Sequence, residues 1–205
     1  MAERIGIYGG TFSPPHNGHV GLAKTFCREF RPDRLLIIPD SLPPHKELPD
    51  GAGSVHRLEM ARLAFEDIES ASVSDFEISR EGEKSYSYDT VRHFKKNDNV
   101  IYLLCGTDML LTFDRWYRFK DLFEMCELVY AYRNSDDPDN EDFINAKIAE
   151  YREKYGAVIH KLGGGINEIS SSQIRIMISE GGDASEFLPE KVYDYIKANG
   201  LYKNG

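Results

Sequence analysis

Arg4-Ile5-Gly6-Ile7-Tyr8-Gly9-Gly10-Thr11-Phe12-Ser13-Pro14-Pro15-His16-Asn17-Gly18-His19 is the stretch whose reading decides the fold. Arg4 to Tyr8 is a short apolar run, which reads as a strand, and Gly9-Gly10 ends it. From Gly18 to Phe30 the apolar residues fall at Val20, Leu22, Ala23, Phe26, Cys27 and Phe30, a helical spacing. Strand, glycine loop and helix in that order form a place where backbone can approach a ligand closely. The free N–H groups and dipole at a helix start attract anions. His16 and His19 stand three apart at that start, so both imidazoles are expected to face one anion. A metal pair would want a third protein ligand nearby, and none is evident.

The same alternation continues. Arg34 to Ile38 is a continuous apolar strand stopped by Pro39, which suits a parallel sheet covered on both faces. Asp40 to Gly53 is rich in Pro and Gly and reads as a loop. Helices are expected at Ser54 to Ile68 and Ser87 to Lys96, and a strand at Ser72 to Ile78. Val100 to Cys105 is the clearest buried strand. Gly106 ends it, and a short helix should follow around Asp108 to Phe113. Leu128 to Tyr132 and Ala157 to Lys161 read as strands, with a polar helix from about Glu141 to Lys154 between them. Gly163-Gly164-Gly165 reads as a flexible turn, and two helices close the chain near Ser171 to Ser179 and Pro189 to Asn199. The pattern predicts an α/β, Rossmann-like, doubly wound and mainly parallel sheet. One domain over 1–205 is expected, with a helical C-terminal part from about 170. Ligands then bind beyond the strand carboxyl ends, around the loops after Tyr8, Ile38, Cys105 and Lys161.

Composition narrows the classes. The 205 residues carry 25 Lys plus Arg and 34 Asp plus Glu, a net charge of −9. With 41% hydrophobic and 29% charged residues, the chain matches neither a disordered nor a membrane protein. The acidic balance argues against non-specific nucleic-acid binding. The longest apolar runs are far short of the ~20 residues needed to span a bilayer. The start lacks a secretory pattern. Cys27, Cys105 and Cys126 are widely spaced with no C-x-x-C, so packing roles in a reducing cytoplasm are expected. No partner beyond small molecules is indicated, and a homo-oligomer is neither required nor excluded.

Gly9 to His19 resembles the first motif of the nucleotidylyltransferase superfamily, whose H-x-G-H segment binds ATP phosphates. Ser13 stands where that motif usually has Asp. Further segments resemble the nicotinate-mononucleotide adenylyltransferases in particular. They are Ile37-Ile38-Pro39 with Pro43-Pro44-His45-Lys46, Ser85-Tyr86-Ser87-Tyr88-Asp89-Thr90, Gly106-Thr107-Asp108, Trp116-Tyr117, and Ile169-Ser170-Ser171-Ser172-Gln173-Ile174-Arg175. The C-terminal helix with Gly200-Leu201-Tyr202 also fits, so the resemblance runs through the whole chain. It implies transfer of AMP from ATP to nicotinate mononucleotide, giving deamido-NAD and pyrophosphate.

By that resemblance His16, His19, Lys46 and Arg175 are the catalytic set. ATP would be held by Gly9, Gly10, Thr11, Phe12, His16, His19, Gly106, Asp108, Ser170, Ser171, Ser172 and Arg175. The mononucleotide would meet His45, Lys46, Ser87, Tyr88, Trp116 and Tyr117. Asp108 is assigned to a nucleotide ribose. Trp116 is assigned to stacking on the pyridine ring, and the amides of Tyr88 and Tyr117 to its carboxylate. Mg²⁺ is implied as a companion of ATP, bound chiefly through phosphates and water, with no protein ligand. From residues alone, Ser170 and Gln173 have the S-x-x-Q spacing of a capping box, which needs no ligand to explain it. A sister adenylyl- or cytidylyltransferase, a dual-specificity enzyme that also accepts nicotinamide mononucleotide, and a non-catalytic nucleotide-binding module remain the alternatives.

Overall fold

The computed structural model describes residues 2–41, 52–80, 84–96, 98–133, 140–166 and 170–203. The strands are β1 (Arg4–Gly10), β2 (Arg34–Pro39), β3 (Ala71–Val73), β4 (Val100–Gly106), β5 (Glu127–Arg133) and β6 (Ile159–Ile166). The helices are α1 (Asn17–Phe30), α2 (Ser54–Phe65), α3 (Ser87–Phe94), α4 (Thr107–Leu111), α5 (Phe119–Met125), α6 (Asn140–Tyr155), α7 (Ser171–Ser179) and α8 (Glu190–Asn199). A 3-10 turn, Phe113–Arg115, follows α4.

All ladder pairs are parallel, in the order β3-β2-β1-β4-β5-β6. The chain starts in mid-sheet, works outward to β3, then returns to the other side of β1. The order therefore reverses between β1 and β4, and the crevice beyond their carboxyl ends is where this architecture binds ligands.

The strands are apolar on both faces because helices cover both. Along β2, Leu35 and Ile37 enter one core with Phe26, Met60, Ile174 and Ile196. Leu36 and Ile38 enter the other with Val91, Leu110, Leu122 and Tyr151. Gly6 permits the closest helix approach: a Cβ there would lie 2.5 Å from the Phe26 ring. The C-terminal segment packs into the first core through Leu188, Val192, Ile196, Leu201 and Tyr202.

Three expectations need correction. The strand expected over Ser72 to Ile78 ends at Val73, after which Asp75 to Arg80 turns on itself (Ser79 N–H to Asp75 O, 2.8 Å). The turn sends Glu77 inward to accept from the Thr90 hydroxyl, a tertiary demand that a period-2 pattern does not reveal. Gly163-Gly164-Gly165 lies within β6, where the register against β5 shifts between Ala131 and Arg133. Glycine tolerates such an irregularity, and the Gly163 N–H donates to the Glu29 carboxylate at 2.9 Å. Finally, α5 was not expected, because its seven residues are too few to show a period.

Candidate active site

The first loop is built from both ends of the chain. His16 is the N-cap residue of α1 and is buried, and its backbone N–H donates to His19 Nδ1 at 3.1 Å. That bond has a chemical consequence. A neutral imidazole that accepts at Nδ1 carries its hydrogen on Nε2, so the Nε2 edge of His19 is a donor. The two rings lie 3.8 Å apart between centroids, and Phe12 meets His19 edge-on at 5.2 Å. The structure thus brings His16 and His19 together at the head of α1, as expected.

Three side chains from the C-terminal segment grip the loop. Arg175 Nη1 donates to the Ser13 carbonyl (2.8 Å), and Ser171 Oγ donates to the Pro14 carbonyl (2.9 Å). The Tyr202 and Ser13 hydroxyls are 3.0 Å apart, both buried. Burial pushes the Tyr202 phenol up to about 12, against the opposing effects of Ser13, Arg175 and Arg57. Ser13 is therefore held through its carbonyl and its hydroxyl. Ser170 and Gln173 form the expected capping box at the head of α7, with Ser170 N–H to Gln173 Oε1 at 2.8 Å and Gln173 N–H to Ser170 Oγ at 3.2 Å. The Ser171 and Ser172 amides fall in that first turn, where no intrahelical acceptor exists for them. Arg175 Nη2 also donates to Ser172 Oγ at 3.1 Å. Arg175 thus ties α7 to the first loop, a structural engagement that the sequence reading did not contain.

Gly9 and Gly10 end β1, and Thr11 turns away from it. The Thr11 hydroxyl donates to Asp40 Oδ2 (2.7 Å), and Arg57 donates to both the Thr11 carbonyl (2.9 Å) and Asp40 Oδ1 (3.0 Å). Neither Asp40 nor Arg57 was singled out from the sequence. A signal existed: Arg57 lies on the same helical face as Met60, Ala61 and Ala64, where an apolar residue is expected. Across the crevice, Gly106 is the N-cap residue of α4 and Asp108 sits in its first turn, exposed. The buried Thr107 hydroxyl ties this corner to the Ala131 carbonyl at 3.1 Å.

The segments assigned to the second substrate also meet. The Ser41 N–H donates to Ser85 Oγ at 2.9 Å. Tyr117 packs on Tyr86 and Tyr88, with centroids 4.6 and 5.8 Å apart, beside Ser87 at the start of α3. Arg118 lies over the Tyr88 ring at 4.3 Å and pairs with Asp121 at 2.6 Å. The half-buried Trp116 stacks on Phe113 at 4.8 Å, so one of its two faces is taken by the core. Burial pushes the Glu77 carboxyl up, against the lowering effect of Thr90. His45 and Lys46, with Pro43 and Pro44, lie outside the described residues.

Cys105 and Cys126 are buried, and burial pushes the Cys105 thiol up to about 12, which suits packing rather than reactivity. Cys27 is half-buried, less covered than expected. Among the described residues no three His, Cys, Asp or Glu side chains are grouped to hold a metal ion. No described helix is long and apolar enough to cross a membrane.

Residues 7–176 match the family described as cytidylyltransferase-like. A relative from Clostridium botulinum (strain Eklund 17B / Type B), named "Probable nicotinate-nucleotide adenylyltransferase", is 36% identical over 98% of each chain. One of the same name from Listeria monocytogenes serotype 4a is 35% identical over 98% of each. The fold matches that of the Plasmodium falciparum nicotinic acid mononucleotide adenylyltransferase complexed with NaAD, with a TM-score of 0.79. The match covers 98% of this chain and 97% of the other at 18% identity.

Proposed function

Since the chain belongs to the cytidylyltransferase-like family, and within it to the nicotinate-nucleotide adenylyltransferases, we propose that it transfers AMP from ATP to nicotinate mononucleotide. Deamido-NAD and pyrophosphate are the products. The observation that carries this reading is the convergence of the His16–His19 helix start and the capped start of α7 on one loop at the sheet's switch point.

The acceptor's 5′-phosphate oxygen attacks the α-phosphorus of ATP, and the bond to the bridging oxygen breaks. The pyrophosphate leaves with that electron pair. A phosphate monoester has a second pKa near 6, so the nucleophile is mostly dianionic at neutral pH and needs no general base. The site has to supply positioning and charge cancellation. His19 donates from Nε2 to a phosphate oxygen, and His16 supports it from the adjacent ring. The free amides of Ser171 and Ser172 face the outer phosphates. Arg175 has five N–H donors, of which two serve the loop and Ser172, leaving others for phosphate oxygens. Lys46 and His45 are assigned to phosphate by sequence alone.

Gly9, Gly10, Thr11 and Phe12 shape the floor for ATP, and Gly106 and Asp108 meet a ribose. At the far end the open face of Trp116 stacks on the cationic pyridine ring. Amides at Tyr88 and Tyr117, beside Ser87, receive its carboxylate. Mg²⁺ carried by the triphosphate would offset part of its negative charge. Asp40, the carboxylate beside the loop, is already engaged by Thr11 and Arg57, so no protein ligand is assigned.

The test is ³¹P NMR of protein, Mg-ATP and nicotinate mononucleotide. Equimolar pyrophosphate and a new dinucleotide anhydride are expected. Hydrolysis of ATP to AMP without dinucleotide would refute the assignment.

A further inference from the structure

We propose that Arg57 is a positioning residue for the nucleotide-phosphate loop, fixing the Thr11 carbonyl so that the histidines of α1 meet the α-phosphate. The inference rests on the adenylyl-transfer reading above and adds a residue to it. Arg57 is fully buried. Its Nη1 bridges two acceptors, the Thr11 carbonyl at 2.9 Å and Asp40 Oδ1 at 3.0 Å. Asp40 in turn accepts the Thr11 hydroxyl at 2.7 Å, and its own N–H donates to the Gly10 carbonyl at 3.0 Å. One guanidinium on α2 thus stitches the ends of β1 and β2 to the start of the phosphate loop.

The pair is poorly suited to a purely stabilising role. Arg57 Nε and Nη2 are buried without a hydrogen-bond partner among the described residues. A buried ion pair with unused donors is commonly replaced by apolar side chains at no loss of stability. Met60, Ala61 and Ala64 on the same face show that the surroundings accept apolar groups. The arginine is explained by where it holds Thr11. Both bonds come from the one Nη1 group, presented by a rigid planar guanidinium whose placement a lysine's flexible stem does not reproduce.

The experiment compares wild type, Arg57→Lys and the double variant Arg57→Met with Asp40→Asn. Steady-state kinetics of pyrophosphate release are read beside calorimetric titration with nicotinate mononucleotide, whose pyridine end is assigned to Tyr88, Trp116 and Tyr117. Both variants are expected to bind the mononucleotide with wild-type stoichiometry. Their kcat is expected to fall about 10²-fold, the scale of a misplacement of ~1 Å at the reacting atoms. Wild-type kcat in either variant overturns the proposal. So does a kcat that falls only in step with mononucleotide-binding stoichiometry in both, which would make Arg57 a folding residue. A wild type that releases no pyrophosphate would instead refute the adenylyl-transfer reading itself.

Discussion

Replacing Tyr202 by Phe removes one oxygen near the end of the chain, and its effect is worked from a single contact. The Tyr202 and Ser13 hydroxyls are 3.0 Å apart, and Ser13 is 1% exposed and Tyr202 6% exposed. Without the phenol oxygen, the Ser13 hydroxyl is left buried and short of a partner, a loss of about 1–3 kcal/mol. At roughly 2–4 °C per kcal/mol for a chain of this size, Tm falls by about 2–12 °C. Removing both hydroxyls, in Ser13→Ala with Tyr202→Phe, should be milder than the sum of the single losses, because no orphan remains.

The same phenol sets a pH limit. Its folded pKa is about 12, raised by burial from 10. The folded state therefore resists ionisation of this group. Its contribution to stability is complete below pH 10 and is lost as pH rises from 10 toward 12, up to about 3 kcal/mol at ~1.4 kcal/mol per unit. The assay is urea unfolding of the four proteins at pH 8 and at steps up to pH 11. Additive single effects at pH 8, or an alkaline loss that survives in Tyr202→Phe, would refute the reasoning.

Other outcomes follow from the site. His19→Ala should stay folded with a Tm lowered by a few degrees, because the His16 N–H loses its acceptor, and lose kcat about 10²-fold or more, since it removes a positioned donor to the reacting phosphates; turnover near wild type at saturating Mg-ATP would contradict this. Arg175→Lys should raise KM for ATP by roughly tenfold, because one ammonium cannot serve the Ser13 carbonyl and Ser172 hydroxyl together. A rise in KM for the mononucleotide alone would place Arg175 at the wrong end. Trp116→Ala should weaken nicotinate and nicotinamide mononucleotides alike, since stacking does not distinguish acid from amide. A preference that collapses only in this variant would show that the ring orients the carboxylate.

Much of this was legible in the sequence because the signals were local. Strands apolar on both faces announce a parallel sheet, and the strand, glycine loop and helix start that carry the two histidines form in the order read. Ser170 and Gln173 could be paired by spacing alone, and the capping box forms as read. What escaped was tertiary. Arg57 sits in α2, more than forty residues from Thr11, and no local pattern joins them. The Tyr202–Ser13 contact spans 189 positions. The glycine run at 163–165 reads as a turn because its lack of side chains is visible, while the Glu29 carboxylate that anchors Gly163 is not. The sequence suggests Arg175 as a phosphate fork, and nothing local in it shows the arginine bracing the first loop.

The most direct test of the central claim is an acceptor panel. Protein and Mg-ATP are mixed in turn with nicotinate mononucleotide, nicotinamide mononucleotide, phosphopantetheine and a sugar phosphate, and kcat/KM is measured from pyrophosphate release. The account predicts release with nicotinate mononucleotide and a roughly tenfold to hundredfold lower efficiency with the amide. That margin follows from one buried donor left facing an N–H₂ group, a cost of about 1–3 kcal/mol. Equal efficiency with the two mononucleotides would contradict the amide-donor account, and release only with one of the other acceptors would contradict the function itself.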